Sequence, residues 1–222
     1  MRLLKTIVPI LLVLALSFPV SSFAEDKVDQ LIEQLQGKSQ YFDGNGESLG
    51  FFASWTTRNY EENVRIYAAR LLVKELNAGN RDKIVMALIE ALKKGADDRD
   101  TGDGIIYNRS EIALSLAKIG DERAIEPLLQ TLIGRDKLPM INSKAGPEKI
   151  IIKKNSTNLN IIKALGAFRG LKAGNAAALM EQFLIFEQDA LIAKHLQESI
   201  DLIVNQTDLS LELELYLRPE RP

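Results

Sequence analysis

Cysteine is absent from the 222 residues, and histidine occurs once, at His195. The first absence excludes disulfides, thiolate zinc sites and cysteine nucleophiles. The second excludes any metal site built from several histidines of this chain. Aromatic residues are scarce at 6%, against 46% apolar residues overall, so aliphatic side chains and alanine must build the core. That composition suits packed helices better than a β-sandwich. Neither sign of charge dominates. The formal charge is −2, from 28 basic and 30 acidic side chains, too mild to argue for a nucleic-acid partner. Beyond residue 24 no stretch approaches the roughly 18 uninterrupted apolar residues that a membrane span needs.

Residues 1–24 have the pattern of a secretory signal peptide. Arg2 and Lys5 supply a positive start, and Ile7 to Leu16 is apolar apart from Pro9. Ser22-Phe23-Ala24 places small residues at the −3 and −1 positions, which predicts cleavage before Glu25. The alternative, a retained anchor, meets an apolar stretch too short to span comfortably, followed by Pro19 and serines. Without a cysteine, attachment as a lipoprotein is excluded. The cleaved chain, 25–222, would carry 26 basic and 30 acidic side chains, a charge of −4. The expected address is a Gram-negative periplasm, with secretion as the alternative.

The remainder contains a repeat. In the stretch 108–132, Ile112, Leu116 and Ile119 fall on one helical stripe. Gly120 ends that helix, as a residue tolerant of positive φ can. Asp121 can cap the next helix, whose apolar face is Ala124, Ile125, Leu128, Leu129 and Leu132. Upstream, Arg65 matches Arg109, and Ala68, Ala69 and Leu72 match Ile112, Ala113 and Leu116. A turn at 77–80 then leads to a second helix bearing Ile84, Leu88, Ala91 and Leu92. Downstream, Ile161, Ile162, Leu165 and Phe168 match the first helix, with Asn158 in the arginine position. Ala176, Leu179, Met180, Phe183 and Leu184 form the second helix of that copy. Helix pairs of this kind bury their apolar surfaces by stacking. The alternative is an irregular helical bundle.

The stretch 109–129, with its Ile-Gly-Asp turn, resembles a HEAT repeat, in particular the HEAT-like variety of the phycobilin lyases; 65–92 and 158–184 resemble it more loosely. The resemblance implies an all-α fold, an α-α superhelix of about three helix pairs with capping helices, and a concave surface that binds proteins. In this reading Arg65, Arg109, Gly120 and Asp121 are structural residues of the repeat. Some HEAT-like proteins are enzymes, among them deoxyhypusine hydroxylase, which holds two irons through His-Glu pairs. This chain has no His-Glu dipeptide, so that activity does not carry over. A periplasmic address also argues against lyase activity.

The predicted organisation is therefore a signal peptide at 1–24, a capping helix and aromatic-rich loop at 25–60, repeats at 61–205 and an extended tail at 206–222. Val28, Leu31, Ile32 and Leu35 give the capping helix an apolar stripe, and 190–204 is a closing helix. Leucines alternate with other residues from Leu209 to Leu217. That period of two is a strand signal, although a tail lying over the last helix is an equal alternative.

Motifs of catalysis are weak. Gly37-Lys38-Ser39 ends like a phosphate-binding loop, but Ile32 stands where its first glycine belongs. His195 lies within a helix, and Gly46-Glu47-Ser48-Leu49-Gly50 matches Gly-x-Ser-x-Gly in spacing but is not preceded by the apolar strand run that a nucleophile turn requires. The loop 97–104 holds four aspartates and one arginine. Asp98, Asp100 and Asp103 are candidate calcium ligands there, although EF-hand spacing fails and a solvated acidic turn is the plainer reading.

Two regions are candidate docking surfaces. Six of the twelve aromatics beyond residue 24 fall within 41–60, including Phe51, Phe52 and Trp55. Exposed aromatics anchor interfaces; as an alternative they cover the open face of the first repeat. The insertion 134–156 carries six basic and two acidic side chains, and Lys144, Lys149, Lys153 and Lys154 are its candidate contacts. Insertions in repeat arrays emerge on one face, often the binding face. The functional expectation is a non-catalytic scaffold or adaptor for another protein, of unknown identity. The alternative is an enzyme or small-ligand carrier, its groove lined by carboxylates such as Asp121 and Glu122. No cofactor is expected beyond the calcium candidate.

Overall fold

The computed structural model describes residues 21–36, 54–94, 108–139, 147–206 and 213–217. Every regular element among these residues is helical. They are α1 (Ser21–Leu35), α2 (Ser54–Lys74), α3 (Arg81–Lys94), α4 (Asn108–Ile119), α5 (Ile125–Ile133), α6 (Ser156–Gly166), α7 (Leu171–Phe186), α8 (Ala190–Val204) and a single turn, α9 (Leu213–Tyr216). A short 3₁₀ turn, Glu122–Ala124, precedes α5.

Local chemistry sets the boundaries. Between α2 and α3, the Asn77 side chain accepts from the backbone N–H groups of Gly79 at 2.9 Å and Asn80 at 3.1 Å. The Asn80 side chain accepts in turn from Asn77 N at 2.8 Å. These contacts satisfy N–H donors of the turn, and Asn80 Nδ2 donates at 2.8 Å to Glu75 O, just past the end of α2. Gly120 stands at φ +67° after α4, the left-handed conformation that closes a helix most cheaply without a β-carbon. Asn155 caps α6 by accepting from Asn158 N at 2.7 Å, and Asp189 caps α8 through Leu191 N at 2.9 Å and Ile192 N at 3.2 Å.

The helices pack in an ordered way. α2 packs on α4, α4 on α6 and α6 on α8. Alongside, α3 packs on α5 and α5 on α7. α4, α6 and α8 also rest on the helix that precedes each of them, α3, α5 and α7. α1 packs on both α2 and α3, so it takes the place before α2 that α3 takes before α4. Val28, Leu31 and Leu35 are its buried stripe. One continuous apolar core runs through all these contacts, with Phe168 and Phe183 its bulkiest fully buried side chains.

α6 departs from the amphipathic pattern. Every residue from Ser156 to Gly166 is buried, including Asn158, Asn160 and Lys163. Buried polar groups need partners, and several are in place. Asn158 Nδ2 donates to Lys153 O at 2.7 Å and Asn160 Nδ2 to Ser156 O at 2.8 Å. Ser110 Oγ of α4 donates to Thr157 Oγ1 at 3.3 Å, and Ser199 Oγ of α8 donates to Ile162 O at 2.9 Å.

The C-terminal segment covers part of α6 as a helical turn; the strand that its period of two signals does not form over 213–216, and Tyr216 rests against Ser199 of α8, as in the alternative of a tail over the last helix. Leu217 is buried, the Tyr216 hydroxyl lies 3.3 Å from Ser199 Oγ, and the Lys163 ammonium sits 5.7 Å from the Tyr216 ring centre. Burial pushes the Tyr216 phenol up to about 12. The alternating leucines carry a period of two, but docking Tyr216 and Leu217 at the α6–α8 junction overrides that preference over 213–216. Residues 207–212 lie outside the described residues.

Candidate interaction surface

Of the residues expected to be structural, Arg109 and Asp121 make contacts at the joints between helices. Arg109 Nε donates to Leu92 O, near the end of α3, at 3.1 Å. A guanidinium satisfies a terminal helix carbonyl there and complements the negative end of the helix. Arg65, aligned with Arg109 in the sequence, lies in the middle of α2 instead of at a helix start, and its Nε is buried without an acceptor.

Asp121 is the centre of a larger joint. Its carboxylate caps the 3₁₀ turn through Arg123 N at 3.1 Å and accepts from Arg123 Nε and Nη2, both at 2.8 Å. Arg81, at the start of α3, lies 3.5 Å away and also donates to Ile119 O at 3.0 Å. Arg123 reaches Asp82 at 2.7 Å. The turn after α2 and the turn after α4 are thereby tied together. The spacing held a clue to these partners: Arg81 and Asp82 open one second helix, and Asp121 and Arg123 flank the start of the next.

This joint argues against Asp121 as a catalytic acid. The hydrogen bond from Arg123, helped by the charges of Arg123 and Arg81, holds its carboxyl at about 2 instead of 3.8. Since the folded-state pKa is depressed, the ionised carboxylate stabilises the fold above pH 3.8, and that contribution fades as pH falls toward about 2. Asp121→Asn keeps a capping oxygen but removes the charge. It is expected to cost about 1 kcal/mol near pH 7, in line with ion pairs screened by water. Urea unfolding of both proteins at neutral pH and at the acid end checks this; a gap of equal size at both would rule out the charge as its source. Glu122, the other carboxylate considered, lies with Oε1 against Gly170 in the next turn. Among the described residues no three metal-ligating side chains converge.

The basic insertion is partly described. Arg135 is ion-paired with Glu148, and Lys154 lies 3.1 Å from Asp189. The Lys154 ammonium, with the capping N–H groups of α8, holds the Asp189 carboxyl below its usual range. Lys154 is thus a structural contact to α8. Ile150 and Ile152 are each 3% exposed, whereas Lys149, Ile151 and Lys153 face solvent. Lys144 lies outside the described residues, as do Phe51, Phe52, Asp98, Asp100 and Asp103. Trp55 falls in the first turn of α2, with its side chain outside the described set. The structure therefore brings Lys149 and Lys153 to one strip.

A shallow groove of about 490 Å³ lies between α1 and α3, with Ile32, Met86 and Ile89 among its apolar lining and Lys83 and Lys93 at its edge. Among the described residues, none of the candidate docking, metal-ligating or repeat-structural residues named from the sequence lines it. No helix among the described residues is long and apolar enough to cross a membrane. No protein-family model, curated protein or solved structure matches the chain.

Proposed function

We propose that the chain is an exported HEAT-like α-solenoid that acts in the cell envelope as a non-catalytic docking scaffold for another protein. One observation carries this reading: α2, α4, α6 and α8 follow one another in contact, and α3, α5 and α7 do the same beside them. Stacked pairs of this kind place successive turns along common edges, which suits extended docking more than a closed reaction pocket. The joint at Asp121, which links two consecutive turns through Arg81, Asp82 and Arg123, supports the same reading. The leader pattern at 1–24 supports export.

Cross-linking mass spectrometry in the envelope of the native host tests the proposal. The expected result is a reproducible partner whose cross-links cluster on one face and weaken when 134–156 is deleted. Identical cross-links with and without the insertion would remove it from the docking surface. Absence of any partner, together with a ligand-dependent rise in melting temperature, would favour the carrier or enzyme alternative.

A further inference from the structure

The alternating burial at 149–153 defines a recognition strip. Ile150 and Ile152, each 3% exposed, anchor the backbone in the core, and Ile151 between them is 70% exposed. This alternation has the period of an extended chain, in which every second side chain projects to the same side, roughly 6.5 Å apart. Lys149, Ile151 and Lys153 therefore form a row of cation, apolar group, cation. The neighbouring charges are already committed, Arg135 to Glu148 and Lys154 to Asp189. Neither Lys149 nor Lys153 carries an ion pair among the described residues.

Resting on the docking function above, we propose that this strip binds an extended acidic segment of the partner protein. Carboxylates four residues apart on that segment would match the Lys149–Lys153 spacing, and an apolar side chain midway would cover Ile151. Charge complementarity favours this occupant, since the strip is positive on a chain of formal charge −2. A membrane surface fits less well. Two lysines at about 1 kcal/mol each and one isoleucine fall short of the two strong signals that stable anchoring takes.

The test uses the chain with its leader removed and a synthetic peptide bearing two glutamates four residues apart with a valine between them. Titration followed by NMR should shift the amides of 149–153 and leave α7 and α8 unmoved. Lys149→Glu combined with Lys153→Glu should weaken binding about tenfold or more, with an unchanged melting temperature because both side chains are exposed. A peptide with lysines in place of the glutamates should not bind. Equal binding by the parent and the double variant would overturn the strip, as would binding to anionic phosphatidylglycerol vesicles without binding to the peptide. Envelope cross-links that persist in the double variant would overturn the strip while sparing the scaffold reading. Cross-links missing from parent and variant alike would count against the scaffold itself.

Discussion

Replacing Phe168 with alanine is expected to lower the stability of the fold by about 3–5 kcal/mol. Phe168 follows α6 directly and is among the bulkiest fully buried side chains of the core. It sits where the chain passes from α6 to α7, so truncation would open a cavity at a crossing that the surrounding helices cannot easily close. For a chain of this size, each kcal/mol corresponds to about 2–4 °C in Tm. A drop of roughly 6–20 °C in calorimetry is therefore the expected reading. A change of a degree or two would mean that the neighbouring side chains relax into the space, and that Phe168 does not bridge the two helices as described.

The second large effect is expected at Gly166, the last residue of α6. A β-carbon there would fall well inside contact distance of the Tyr216 hydroxyl and lie 2.8 Å from Ser199 Oγ and 2.9 Å from Ser199 Cβ. Alanine is the better helix former by about 1 kcal/mol, but it would have to push α8 and the C-terminal turn away from α6. Overpacking of this kind typically costs about 1–3 kcal/mol, so the Gly166→Ala protein should be less stable despite the gain in propensity. Tyr216→Phe alone should cost about 1 kcal/mol through loss of the hydroxyl contact to Ser199. In the Gly166→Ala background the same change removes the closest clashing atom and should cost less, or restore stability. A double-mutant cycle from urea unfolding reads this coupling directly. Strictly additive losses would show that glycine is not required by this approach.

The helical elements were the most legible part of the sequence. The stripe Ile112, Leu116, Ile119 and the helix predicted over 190–204 both rest on apolar spacing, which is a local property. Helix starts were harder to place. α6 opens at Ser156, capped by Asn155, two residues before the repeat alignment begins, because a capping asparagine outweighs the position of the matched residue. The complete burial of α6 was not legible at all. The burial of its polar side chains depends on α4, α5 and α8 packing around it and, at Lys163, on Tyr216, more than fifty residues away in sequence. The alternating leucines left strand and docked tail equally open, since a local period cannot report a distant docking partner. At the candidate strip, sequence identified the excess of lysine. Only the structure separated Lys154, engaged with Asp189, from the two lysines that share a side with Ile151.

The enclosure of α6 has a kinetic consequence. Among the described residues α6 is enclosed by α4, α5, α8 and the C-terminal turn, so solvent reaches its amides when these move aside, whereas α1 packs on α2 and α3 at one end of the array. Opening should therefore proceed inward from the flanks, and the slowest hydrogen exchange in the chain belongs to α6, where protection measures the cost of taking the whole array apart.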